Sequence, residues 1–97
     1  MKEQDYQKRI SDDFKKKGYF VINLIKTNRN GIPDLQASKF NEPTIYIECK
    51  TLKGRLSEVQ KFRLNELSER GFNCYVSYGM ELKKWKINKE KNCEYGF

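Results

Sequence analysis

The sequence has no histidine, only three cysteines and no long apolar run, and each shortage excludes a class of protein. Without histidine, the chain cannot build a Ser-His or Cys-His nucleophilic pair. Cys49, Cys74 and Cys93 lack metal-ligand spacing, which argues against a zinc site. No stretch approaches the roughly 20 apolar residues of a membrane span, and no signal-peptide core opens the chain. These absences predict a soluble, cytoplasmic protein without a membrane partner.

Positive charge, by contrast, is in excess. Twenty Lys and Arg residues against 13 Asp and Glu residues give a net charge of +7. That charge favours a polyanionic partner, and the 13% aromatic content offers surfaces on which bases can stack. The length of 97 residues predicts one domain. Because so short a chain buries only about 60–65% of its unfolded surface, self-association would help to stabilise it.

Hydrophobic periodicity predicts two helices and four strands. Apolar residues at three- and four-residue steps predict a helix over about 3–17. Ser57 and Gln60 have capping-box spacing and predict the start of a second helix, which Gly71 ends. The strands are predicted at 19–25, 34–40, 44–50 and 72–78, the first buried and the last parallel to its neighbour. Residues 79–97 have the pattern of a weak helix or an edge strand with a frayed tail.

The predicted strand at 44–50 carries an acid and a base on one face. Side chains alternate along a strand, so Glu48 and Lys50 share a face while Cys49 lies on the apolar one. Burying charge is costly unless the charge is paired or bound to an ion. Asp34, which follows a Gly-Ile-Pro turn, can supply a second carboxylate from the neighbouring strand. Two acids and a lysine around one point suit a divalent-cation site that activates water beside a phosphate.

The same acid-x-lysine spacing occurs twice more, at Asp13–Lys15 and Glu81–Lys83. The first copy lies in a lysine-rich amphipathic helix and the second in a polar stretch, where a solvated face explains both. Only the Glu48 copy lies in a strand core that follows a Pro-Asp pair. The predicted structural context of Glu48, and not the acid-x-lysine spacing alone, therefore distinguishes the candidate site.

The order of elements and these residues resemble the PD-(D/E)XK nuclease superfamily, and more closely the VRR-NUC (virus-type replication-repair nuclease) family. The matching segments, within about residues 3–78, are Glu3, Gln7, Gly31–Leu35, Ile47–Thr51, Lys53–Ser57, Gln60 and Leu67–Gly71. The resemblance implies an α/β, restriction-endonuclease-like αβββαβ core with a mixed four-stranded sheet flanked by helices. It implies a single domain over 1–97, with a basic C-terminal extension at 79–97. The small size resembles the viral and bacterial members.

The resemblance also implies roles at the site. Asp34 and Glu48 would bind Mg²⁺ or Mn²⁺, together with the backbone carbonyl of Cys49 and water. Cys49 stands where an aliphatic residue is commoner, and only its carbonyl would matter to a metal. Lys50 would orient or deprotonate the attacking water, or stabilise the pentacovalent state.

Two other matched residues have two interpretations each. Glu3 either binds a second metal or a metal water, or is a solvated N-terminal residue. Gln60 contacts the lysine or a phosphate, closes the capping box, or does both. The residues expected to contact DNA phosphates are Lys53 and Arg55 after the third strand, and Lys26 and Arg29 before Asp34. The lysines at 83, 84, 86, 89 and 91 either form an outer DNA track or keep the tail soluble.

The favoured function is a divalent-metal-dependent DNA endonuclease that is selective for branched DNA such as four-way junctions. By family analogy it would act as a homodimer, because one site cuts one strand and a junction needs two cuts. The alternative is a non-catalytic nucleic-acid-binding module on the same fold, although an acidic pair repels phosphate unless a cation intervenes. A restriction-type nuclease with base readout would need a recognition element for which the chain is too short.

Overall fold

A computed structural model describes residues 1–87, which form a five-stranded sheet flanked by two helices. The helices are α1 (Glu3–Lys16) and α2 (Glu58–Glu69), and neither has the length and apolar content to cross a membrane. The strands are β1 (Phe20–Asn23), β2 (Leu35–Ser38), β3 (Ile45–Lys50), β4 (Asn73–Tyr78) and β5 (Glu81–Lys84). They lie in chain order, with β3 and β4 parallel and the other pairs antiparallel. The predicted restriction-endonuclease-like α/β fold is confirmed, with five strands where four were expected.

The additional strand is β5, in the segment predicted as a weak helix or an edge strand. It pairs antiparallel with β4, and all four of its residues are exposed. Gly79 has a φ of 63°, and an added Cβ there would lie 2.8 Å from the Leu52 side chain, so this turn needs glycine. Charged residues on an edge strand discourage pairing with a further chain. The predictions for Lys89, Lys91 and Cys93 lie outside the described residues.

The helices cover opposite faces of the sheet. Beneath α1 lies one core cluster, formed by Ile10, Phe14, Leu35, Ala37, Ile45, Ile47 and Cys49. Beneath α2 lies a second cluster of Leu64, Cys74 and Val76, against which Tyr46 packs. The predicted alternation of β3 is therefore confirmed, because its odd and even residues enter different clusters. Covered on both faces, β3 can hold a functional side chain away from water.

The expectation of a buried first strand is wrong. β1 is a short edge strand, and its Phe20 side chain remains 68% exposed. Val21 packs against the cluster beneath α1, whereas Phe20 and Ile22 point to the face that α2 does not cover at this edge. The apolar run therefore predicted the strand correctly. Its burial was not predicted, because that depends on how far α2 extends across the sheet, and α2 does not reach the edge formed by β1.

Candidate active site

Three carboxylates from three different elements meet at one end of the sheet. Glu3 lies in the first turn of α1, Asp34 immediately precedes β2, and Glu48 belongs to β3. Each offers a carboxylate oxygen, and the three oxygens lie within 4.8 Å of one another. Glu48 is buried, while Glu3 and Asp34 are half-buried. We call these three residues the acid cluster; hard divalent cations prefer such oxygen ligands.

Asp34 is positioned by backbone contacts. The Cys49 N–H donates to Asp34 Oδ2 at 2.8 Å, and the Leu24 N–H donates to the Asp34 carbonyl at 2.8 Å. Since the amide and carbonyl of one strand residue point to the same side, the Cys49 carbonyl also points to the β2 side of β3. The Cys49 thiol packs in the core, where burial raises its pKa to about 12, so it stays protonated. Cys49 thus offers the site its backbone and not its sulfur.

The loop before Asp34 is held against α2 by contacts that sequence analysis did not single out. Gly31 has a φ of 78°, and an added Cβ would lie 2.6 Å from the carbonyl oxygen of Val59. Arg63 Nε donates to the Asn30 carbonyl at 2.8 Å, and Arg63 Nη1 donates to Glu66 at 2.9 Å. The Arg-x-x-Glu spacing on α2 was the available signal for the second of these contacts.

Glu48 is the most deeply buried member of the acid cluster. Burial, the charge of Asp34 and a hydrogen bond with Asp34 raise the pKa of Glu48 to about 9, although Lys50 acts in the opposite direction. Lys50 Nζ lies 3.9 Å from Glu48 Oε2, and its side chain is only 12% exposed. One lysine at that distance does not offset two adjacent carboxylates. A divalent cation among the three oxygens would do so, and the residues fit such an ion.

Gln60 connects the start of α2 to the acid cluster. The side-chain Oε1 of Gln60 accepts from the Ser57 backbone N–H at 2.9 Å, and the backbone N–H of Gln60 donates to Ser57 Oγ at 3.2 Å. These two bonds form the predicted capping box. Because Ser57 occupies the amide oxygen, the amide nitrogen is left to donate to Glu48 Oε2 at 3.4 Å. Gln60 therefore closes the box and contacts the site, and its partner there is Glu48.

Lys50 is packed by the loop that follows β3. The Gly54 N–H donates to the Thr51 carbonyl at 3.0 Å and closes a tight turn. A Cβ added at Gly54 would lie 2.9 Å from Lys50 Cβ and 3.3 Å from Lys50 Cδ. Glycine is therefore needed for the loop to approach the Lys50 stem. The sequence offered a Lys-Gly-Arg run as the only signal of this contact.

The four predicted DNA-contacting residues are exposed and lie in two loops that adjoin the site. Lys53 and Arg55 follow Lys50, while Lys26 and Arg29 lie in the loop that leads to Asp34. Within residues 1–87, the charged ends of these four side chains form no ion pair. They are accordingly available to an external anion.

Comparison with known proteins gives a family. No curated protein matches the chain. The sequence model of the VRR-NUC domain matches residues 1–81, which include both helices, the first four strands and the whole acid cluster. That match confirms the resemblance found in the sequence. With 81 of its 97 residues inside the match, the chain belongs to the VRR-NUC domain family, a nuclease-type family.

Proposed function

We propose that this protein is a divalent-metal-dependent DNA endonuclease that hydrolyses phosphodiester bonds and prefers branched DNA such as four-way junctions. The observation that carries the proposal is the convergence of Glu3, Asp34 and Glu48 oxygens within 4.8 Å, beside the nearly buried Lys50. Membership of a nuclease-type family supports hydrolysis of nucleic acid. The net charge of +7 supports a polyanionic substrate.

The residues of the site divide into cation holders and a proton-transfer group. Asp34, Glu48 and the Cys49 carbonyl would hold Mg²⁺ or Mn²⁺, and Glu3 would complete the oxygen set. Such a cation, when bound, lowers the pKa of a water molecule and neutralises charge that develops on the phosphate. Lys50 would orient the attacking water, take its proton, or stabilise the pentacovalent phosphate.

Gln60 has a supporting role in this proposal. Its amide donates to Glu48 Oε2, and the capping box prevents the amide from turning over. One carboxylate oxygen of Glu48 would thus keep its orientation whether or not a cation is present. A catalytic constellation gains from this kind of fixed orientation, because it need not reorganise as charge develops.

The exposed basic loops would hold the DNA backbone on either side of the cut. Lys53 and Arg55 would contact phosphates near Lys50, and Lys26 and Arg29 would contact phosphates near Asp34. Such contacts position the strand without reading its sequence. A homodimer belongs to the proposal because one site cuts one strand, so the resolution of a four-way junction requires two copies.

Cleavage of defined DNA structures tests the proposal. The purified protein is incubated with labelled four-way junction, flap, single-stranded and duplex DNA in Mg²⁺, Mn²⁺ or EDTA. Cutting should require the metal, favour the branched substrates and disappear in Lys50→Ala. Lys8→Ala is the matched control, because Lys8 pairs with Asp12 on the surface of α1.

Each alternative has its own outcome in this experiment. Binding without cutting in either metal would favour the non-catalytic DNA-binding module. Equal cutting of duplex and junction would refute the preference for branched DNA. Sedimentation or light scattering of the same preparation measures the oligomeric state, and a monomer that still makes paired cuts would refute the dimer.

A further inference from the structure

A groove of about 610 Å³ opens beside the acid cluster, between α1 and the end of β1. Its walls are formed by Gln4, Gln7, Asn23, Leu24 and Ile25, together with two members of the acid cluster, Glu3 and Asp34. Among the described residues that line it there is no lysine or arginine, although the chain has a net charge of +7. Beyond the two carboxylates, which the proposed cation would occupy, the groove offers no cationic side chain to a phosphate, so this part of it suits an uncharged group.

The chemistry of the walls matches a nucleobase. Amide side chains both donate and accept hydrogen bonds, and they can pair with the edges of an unstacked base. Ile25 is 90% exposed, and its apolar surface would be covered by a flat ring placed over it. The Leu24 N–H donates to the Asp34 carbonyl at 2.8 Å, which holds the backbone next to Ile25 beside the acid cluster.

The cationic residues next to the groove suit the phosphate groups of the same strand. Lys26 and Arg29 continue the same loop beyond Ile25, and both side chains are exposed. A strand whose phosphates lie along these cations would present its bases toward the groove. The surface therefore separates cationic groups for the backbone from amide and aliphatic groups for a base.

We infer that this groove is a nucleobase subsite, which takes one unstacked base of the DNA strand whose phosphate reaches the acid cluster. The inference rests on the proposed nuclease function and deepens it. An unstacked base is available at a junction, a flap or a single strand, but it must be extracted from a continuous duplex. Occupation of the groove would give the enzyme its preference for branched DNA without any reading of base pairs.

Abasic substitution tests the subsite. The cut is first mapped on the preferred substrate, and nucleotides within about three positions of it are replaced singly by abasic units. At one position, the abasic unit should lower kcat/KM of the wild type by about tenfold, which corresponds to the loss of about 1.4 kcal/mol of contact with the base. Ile25→Ser and Asn23→Ala should lower kcat/KM on the intact substrate and remove most of its sensitivity to the abasic unit.

The control is Phe40→Ser, since Phe40 is also 90% exposed but lies in the β2–β3 connection. It should keep the full abasic effect. Cutting that no abasic unit impairs would overturn the subsite and leave the nuclease function standing. An abasic effect that persists in Ile25→Ser and Asn23→Ala would also overturn it, because the base would then bind elsewhere. Failure to cut any substrate would overturn the proposed function together with the subsite.

Discussion

Replacement of Glu48 by glutamine should stabilise the metal-free protein at neutral pH while it abolishes cleavage. Glu48 is 2% exposed, and burial together with the neighbouring Asp34 raises its pKa to about 9 from an ordinary value of 4.5. Between these two values the native state keeps a proton that the unfolded state has lost. Linkage then makes the free energy of unfolding fall as the pH rises through this window.

The size of this change in the free energy of unfolding depends on the difference between the pH of the measurement and the ordinary pKa of Glu48. At pH 7.5 the cost to the native state reaches about 4 kcal/mol, at 1.36 kcal/mol for each pH unit above the ordinary value. Glutamine resembles the protonated acid in shape, can accept from Gln60 and does not ionise in either state. Glu48→Gln should therefore raise the free energy of unfolding by about 2–4 kcal/mol, that is, by up to the whole ionisation cost that it removes. That range corresponds to an increase in Tm of about 10 °C or more.

Thermal and urea unfolding in EDTA, followed by circular dichroism at pH 5 and pH 7.5, measures this effect. The variant should gain much more at pH 7.5 than at pH 5, because pH 5 lies close to the ordinary pKa of 4.5 and the cost accumulated there is only about 1 kcal/mol. Glu81→Gln serves as the control, because Glu81 lies on the exposed β5 strand. Equal midpoints for wild type and Glu48→Gln at pH 7.5 would refute the reasoning, since Glu48 would then be ionised in the fold. Mg²⁺ should stabilise the wild type and have little effect on the variant.

Three further variants test separate parts of the site. Asp34→Asn should abolish Mg²⁺-dependent cleavage of labelled DNA, and full cleavage by this variant would mean that the assigned cation ligands are wrong. Gly54→Ala should lower kcat about tenfold or more while DNA affinity stays near the wild-type value, because the new Cβ would lie 2.9 Å from Lys50 Cβ; a wild-type kcat would exclude the proposed packing role of the loop. The double variant Lys53→Ala, Arg55→Ala should weaken DNA binding for all sequences and reduce the slope of log K against log salt by about 2. Fluorescence anisotropy at several salt concentrations measures that slope, and an unchanged value would remove the loop from the DNA interface.

The elements that local chemistry dictates were predicted well. Alternation along β3 placed Glu48 and Cys49 on opposite faces, and the Ser57–Gln60 spacing gave the start of α2. These features depend on residues close together in the chain. Side-chain periodicity and capping spacing therefore predict these features without knowledge of the tertiary structure.

The features that depend on distant packing could not be predicted in the same way. β5 is exposed on both faces, so it has no apolar alternation, and its existence depends on pairing with β4. The convergence of Glu3 with Asp34 depends on where α1 lies across the sheet. The contact of Gly54 with Lys50 depends on how one loop folds back. None of these leaves a periodic signal in the sequence.

The hydrogen bond from the Cys49 amide to Asp34 has a consequence for spectroscopy. In the register of the β2–β3 pair, Leu35 lies opposite Ile47, and the Asp34 carboxylate accepts an amide proton just beyond that pair. The Asp34 side chain thus accepts a hydrogen bond from β3 just beyond the last residues of β2 and β3 whose backbones pair. Because this proton lies against a carboxylate of the acid cluster, its chemical shift and its exchange with solvent should respond to a cation bound there. One backbone resonance, from a residue with an inert thiol, would then report both the occupancy of the site and the fraying of the strand end.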